Sequence, residues 1–185
     1  MDGNKSNVLI ALVGESGSGK SAIAKYLEDF YDLKYVRSYT TRPKRADKID
    51  DHIYVDQAQY DCITHKAAES YYNNNWYCAT EHQCDMADVY VIDVQGLKML
   101  KEKYKNKHIL SLYINTPLSV RIQRMKDRGD DQENINKRVD NDNGDFNQAW
   151  ELCDYDVDNE GSLTLTCGVI VARLEQFKRH LRKED

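Results

Sequence analysis

Val8–Val13 reads VLIALV, six apolar positions without a polar interruption. So short and uniform a run predicts a strand buried on both faces, as inner strands of a parallel sheet are. Glycine bounds it at once. Beyond Lys20, Ile23, Leu27 and Phe30 recur at spacings of four and three, predicting a helix over 20–30. Two further apolar runs, VYVIDV at 89–94 and ILSLYI at 109–114, predict buried strands, with Leu97, Leu100 and Tyr104 marking a short helix between them. Pro117 after Thr116 suits a helix start, and Leu118, Ile122 and Met125 continue that helix's face. After the polar break DRGDD at 127–131, Ile135, Val139, Phe146 and Trp150 share one face of a longer helix, with 141–144 a candidate interruption. A short strand is expected at 155–157. Leu163, Ile170, Leu174, Phe177 and Leu181 predict a C-terminal amphipathic helix. Strands alternating with helices imply an α/β fold, a three-layer sandwich whose parallel sheet has helices on both faces.

Residues 37–85 break the alternation. They are polar, rich in tyrosine and asparagine, and too long for a structureless loop in a compact domain. An inserted subdomain over the carboxyl edge of the sheet is expected, with a turn at the asparagines 73–75. The organisation predicted is one domain: a core of 1–36, 87–126 and 151–185, an insert of 37–86 and a lid region of 127–150.

Composition narrows the partners. Of 185 residues, 41% are hydrophobic and 31% charged, with net charge −5, which describes a soluble globular protein without a global pull toward nucleic acid polymers or acidic membranes. Basic residues nevertheless bunch twice: Arg37, Arg42, Lys44, Arg45 and Lys48, then Arg121, Arg124, Lys126, Arg128, Lys137 and Arg138. Local positive clusters in an acidic chain suit a small anionic ligand. Five cysteines, an odd number without a CxxC pair, argue for a reducing compartment, and no apolar stretch has the length of a signal core or a membrane span; a cytoplasmic protein is expected. The five histidines lack metal-ligand spacing.

Gly14, Glu15, Ser16, Gly17, Ser18, Gly19, Lys20 and Ser21 match GxxxxGK[ST]. The glycines let the backbone wrap and aim N–H groups at a phosphate chain, and the following helix adds the positive end of its dipole. Lys20 can reach the β and γ phosphates, and Ser21 can ligate Mg²⁺. Placed between a predicted strand and helix, the motif predicts ATP or GTP binding. In the insert, Arg37 to Arg45 read RSYTTRPKR, a dense set of hydroxyls and guanidiniums. Arg42 and Arg45, three apart, can fork onto one phosphate dianion, and Tyr54 and Tyr77 can add neutral donors.

With these residues the chain resembles the guanylate kinase family. The family's S-x-T-T-R-x-x-R run corresponds to Ser38, Thr40, Thr41, Arg42 and Arg45, and its following tyrosine to Tyr54. Its N-Y-Y-G turn resembles Asn75-Trp76-Tyr77-Cys78 and its D-x-Q-G appears as Asp93-Val94-Gln95-Gly96. Its R-G loop, I-x-x-R-L helix and V-x-N segment resemble Arg128-Gly129, 135–139 and 157–159. The resemblance runs in order from about residue 8 to the C-terminus. It implies transfer of the γ-phosphoryl group of ATP, with Mg²⁺, to a nucleoside monophosphate, GMP or dGMP. Arg42, Arg45, Tyr54 and Tyr77 are then expected to grip the acceptor phosphate, with Asp93 on the acceptor side. Ser38 and Glu69 would read guanine, Arg128 and Arg138 would close over the ATP phosphates, and Asn159 would lie near the adenine. Lys20, Arg42, Arg128 and Arg138 form the expected catalytic set. The chain departs from the family pattern at Lys48, Val91, Cys78 and Ala79, all on the acceptor side. Individually the residues carry plainer readings: Tyr54 as packing, Asp93 as a helix cap, Arg138 as a surface position. Two alternatives stay open: another phosphorylated acceptor on the same fold, and a non-catalytic binding module.

Overall fold

The first strand, β1 (Val8–Val13), is buried at all six positions. Its odd residues Leu9, Ala11 and Val13 pack with Tyr90, Ile92, Leu97, Leu100 and Phe146, whereas its even residues Val8, Ile10 and Leu12 pack with Ile23, Leu27, Leu112, Ile170 and Leu174. Successive side chains of a strand point to opposite faces, so two apolar layers require the unbroken run. The structure, a computed structural model, describes residues 7–44, 52–146 and 149–184.

In chain order, β1 leads into α1 (Lys20–Tyr31), β2 (Tyr39–Thr40), β3 (Ile53–Tyr54), α2 (Gln57–Asp61), β4 (Lys66–Tyr72), β5 (Asn75–Thr80), α3 (Glu81–Asp85) and β6 (Val89–Val91). There follow α4 (Val94–Lys103), β7 (His108–Asn115), α5 (Leu118–Asp127), α6 (Gln132–Asp145), a 3₁₀ turn (Ala149–Leu152), β8 (Tyr155–Asp158) and α7 (Leu163–Glu184). The main sheet has the order β6-β1-β7-β8 and is parallel throughout. Its central strand β1 delivers the glycine loop at the carboxyl edge, where open α/β sheets bind ligands.

Residues between β1 and β6 form a second sheet, β3-β2-β5-β4, in which β2 pairs parallel with β3 and antiparallel with β5. Asn73 and Asn74 both have positive φ (49° and 59°) and link β4 to β5, where Tyr72 pairs with Asn75. Both central residues left-handed is the tight hairpin turn that asparagine tolerates. Thr40 donates to the Trp76 carbonyl and Thr41 accepts from the Trp76 N–H, so the hydroxyls of the TTR run lock β2 to β5. Capping boxes start the two short helices, Asp56 with Gln59 and Thr80 with Gln83.

Several positions differ from the apolar pattern. Phe30 is 68% exposed, because α1 buries only Ile23, Ala24 and Leu27. On α5 the buried residues are Arg121 and Met125, while Leu118 is exposed. The helix α6 runs through 141–144 without interruption, and Trp150 lies beyond it, 55% exposed. The second apolar run ends as a strand at Val91, since Asp93 accepts from Gly96 N–H and caps α4.

Candidate functional site

The phosphate loop is shaped from beneath by one carbonyl. Ser18 C=O accepts from Asn159 Nδ2 at 2.7 Å, Arg124 Nη1 at 3.1 Å and Thr116 Oγ1 at 3.1 Å. Gly17 (φ 79°) and Gly19 (φ 98°) have no room for a side chain: a Cβ would stand 2.6 Å from Arg121 O and 2.4 Å from Asn159 Nδ2. Glycine is required there by both conformation and contact. Asn159 is therefore part of the loop's foundation. Its amide oxygen also accepts from Thr166, it is buried, and it does not line the cavity above, so its side chain acts here from under the loop. Ser18 is likewise buried, and Glu15 faces Arg121 at 3.6 Å.

Above the loop lies a cavity of about 430 Å³. Gly14, Ser16, Gly17, Gly19, Lys20 and Ser21 line it from the loop, Ser38 and Arg42 from the segments flanking β2, Tyr77 from β5, and Asp93 from the cap of α4. Arg128 and Arg138 close the α5–α6 side. The guanidiniums share one counter-ion: Asp130 Oδ2 lies 3.0 Å from Arg128 Nε and 3.9 Å from Arg138 Nε. Arg45 lies outside the described residues.

Two acceptor-side expectations change. His52, just before β3, lines the cavity, and Tyr54 does not. The Tyr54 ring instead sits 5.8 Å beneath the Arg42 guanidinium. Glu69 borders the cavity with its carboxylate turned to the other face. In the β4–β5 register Ser70 faces Tyr77, while Glu69 faces Cys78 on the opposite side of the sheet. There Glu69 accepts from Tyr60 OH at 3.0 Å and pairs with Lys66. Ser70 and Tyr72 take the cavity side. The hydroxyl of Ser38 lies 2.9 Å from His52 Nδ1, and Ser38, His52 and Ser70 are polar groups on this side of the cavity. Accordingly, Glu69→Gln is expected to change the ratio of GMP to AMP kcat/KM by less than about threefold, and a tenfold fall in that ratio would return the carboxylate to the base pocket.

His52, Ser70, Tyr72, Arg124 and Asp142 also line the cavity without having been singled out by motif. Strand alternation from Tyr77 points to Ser70. Asp142 is signalled by a charge one turn beyond Arg138 on the face of α6 that carries Ile135 and Phe146.

Lys20 is turned back on its own loop, donating to Glu15 O at 2.9 Å, to Gly14 O and to Ser18 Oγ. Burial lowers its amine to about 8, opposed by Asp142 and Glu15. In the free protein Lys20 thus loses its proton as pH rises through about 8, and an arriving polyanion raises its affinity for that proton again. ATP binding near pH 9 is expected to take up a proton and to weaken as pH rises above 8. Calorimetry in buffers of different ionisation heat measures this; a heat independent of buffer at pH 9 would contradict it.

Fold and loop together define the class, a P-loop nucleotide-binding α/β protein, and a family model described as "AAA domain" matches residues 10–145. The guanylate kinase of Helicobacter pylori strain 26695 is 30% identical over 171 residues, covering 85% of this chain and 81% of that protein. That of onion yellows phytoplasma is 28% identical, covering 97% and 92%. That of Mycoplasma pneumoniae is 29% identical over 139 residues, and the match spans 57% of that protein's length. The crystal structure of guanylate kinase from Anaplasma phagocytophilum superposes with a TM-score of 0.63 at 19% identity, covering 94% of this chain and 87% of that one. The chain belongs to the guanylate kinase family. Among the described residues no helix is long and apolar enough to cross a membrane.

Proposed function

We propose that the protein transfers the γ-phosphoryl group of ATP to a nucleoside monophosphate, GMP or dGMP, releasing ADP and the diphosphate. The observation that carries this reading is one cavity lined together by Lys20 of the phosphate loop, Arg42 just after β2, and Arg128 and Arg138. Phosphoryl transfer passes through a loose transition state with charge spread over oxygens, so it asks mainly for alignment and neutralisation. Lys20, Arg128 and Arg138 neutralise the moving group. Arg42 holds the acceptor phosphate in line, with Tyr77 beside it. That phosphate is largely ionised at neutral pH, so no general base is required. Ser38 donates to guanine O6 while His52 holds it, and Ser70 adds a further polar contact. Asp93 caps α4 and borders the acceptor.

Ser21 and Asp93 both line the cavity, and hard oxygen donors of the kind they carry suit Mg²⁺, which usually keeps waters and phosphate oxygens as its other ligands. When bound with ATP, the ion neutralises phosphate charge. Neither alternative is favoured: the relatives carry the name guanylate kinase, and Lys20 and Ser21 stand in place on the loop.

The test is an ADP-release assay with ATP and each common nucleoside monophosphate, ribose and deoxyribose. GMP or dGMP should exceed AMP by about tenfold or more in kcat/KM, the worth of one or two neutral hydrogen bonds. Activity confined to another acceptor would overturn the guanylate reading while leaving the kinase class intact.

A further inference from the structure

The wall facing the phosphate loop holds a group that phosphoryl transfer does not call for. Asp142, on α6, is 2% exposed, and its carboxylate accepts donors from three other parts of the molecule. From the loop, Ser16 N–H donates to Oδ2 at 2.8 Å and the Ser16 hydroxyl to Oδ1 at 3.3 Å. From the end of β4, Tyr72 OH donates to Oδ1 at 2.6 Å. From α5, Arg121 Nη1 donates to Oδ2 at 3.2 Å.

Stability is a poor reason for this arrangement. A buried guanidinium–carboxylate pair commonly does no better than a well-packed apolar pair, because desolvating both charges offsets their attraction. Helices α5 and α6 already have Met125 and Ile135 to bury. What the arrangement does resemble chemically is the reception of a phosphoryl oxygen: a loop N–H, two hydroxyls and a guanidinium converging on one anion. Ser16 N–H is one of the backbone groups the loop motif presents to phosphate. Lys20, the loop's cation, is meanwhile bound to loop carbonyls. Two anions cannot share these donors, since repulsion between like charges at hydrogen-bond separation in a buried site is large.

We propose that Asp142 is an internal occupant of the phosphate seat, which nucleotide phosphate displaces, and that Tyr72 and Arg121 then pass to the phosphate as positioning residues. The proposal rests on the reading that this loop receives ATP. Displacement makes ATP binding weaker than the loop alone would allow, because the competent state must first be uncovered. It also joins the binding of ATP to the second sheet: Tyr72 of β4 parts from Asp142 of α6 when phosphate displaces that carboxylate, and the neighbouring contact from Asn141 to Asn73 lies on the same seam.

The experiment is calorimetric titration of the full chain with Mg²⁺ and the non-hydrolysable analogue AMP-PNP, and in parallel with inorganic pyrophosphate. Asp142→Asn keeps shape and removes charge; it should bind both probes at least tenfold more tightly, with KM for GMP moving less than threefold. Asp142→Ser serves the same purpose if the amide variant does not fold. Tyr72→Phe placed in the Asp142→Asn background should weaken both probes by threefold or more, because the phenol now serves phosphate. Unchanged or weaker binding of both probes by the Asp142 variants overturns the proposal. A neutral Tyr72→Phe in that background overturns the positioning role of Tyr72, which would then only hold Asp142. Tighter pyrophosphate binding with no AMP-PNP binding by any variant supports the seat and overturns the ATP reading instead.

Discussion

Lys20→Met is expected to lower turnover by about a thousandfold or more while leaving the fold intact. The ammonium is the one cation on the phosphate loop itself, and its bonds are to loop carbonyls and to Ser18. An incoming phosphate chain offers it stronger, charged acceptors at the point where transition-state charge develops. The folded protein should tolerate methionine, since burial already disfavours the charged amine and lowers it to about 8. Steady-state turnover and a thermal melt, measured together, separate the two effects. Near-native turnover would remove the loop from the chemistry, and a collapse of the melting transition would make the lysine structural.

Arg128→Ala and Arg138→Ala should each depress kcat by about a hundredfold or more, with KM for GMP changing only a few-fold. Both guanidiniums line the cavity while leaning on Asp130, so their contact with phosphate is made on exchange of that carboxylate for the transferring group. Interactions realised only in the transition state appear in kcat. A rise confined to acceptor KM would assign these arginines to the acceptor pocket. Asp130→Asn offers the converse comparison: a freed pair should retain most of its turnover, because Asp130 holds the arginines and not the substrate.

Much of the architecture was legible from local pattern. A strand buried on both faces must be apolar at every position, which exposed β1 and the parallel sheet directly. GxxxxGK[ST] is legible for a related reason: wrapping a backbone around phosphate needs particular glycines, and Gly17 and Gly19 have no space for a side chain. Arginines converging on the loop's cavity were also readable, since Arg42, Arg128 and Arg138 all line it.

Pairing decisions were not legible. Motif order placed Glu69 at the base, but the hairpin register sets Ser70 opposite Tyr77 and sends the carboxylate to Tyr60 and Lys66. A shift of one residue exchanges the faces of a strand, and register depends on the turn at Asn73 and Asn74 as much as on the strand itself. That His52 and not Tyr54 lines the cavity, and that Asn159 lies beneath the loop, were set instead by packing between segments distant in sequence. The sequence by itself determined the sheet, the phosphate loop and the supply of cations, because each follows from chemistry local to a few neighbouring residues. Tertiary structure alone decided which side chains meet above the loop. Asp142, 126 residues from Ser16, is an ordinary acidic residue in its own helix, and only the packing of α6 against the loop and β4 brings it onto that N–H and away from water.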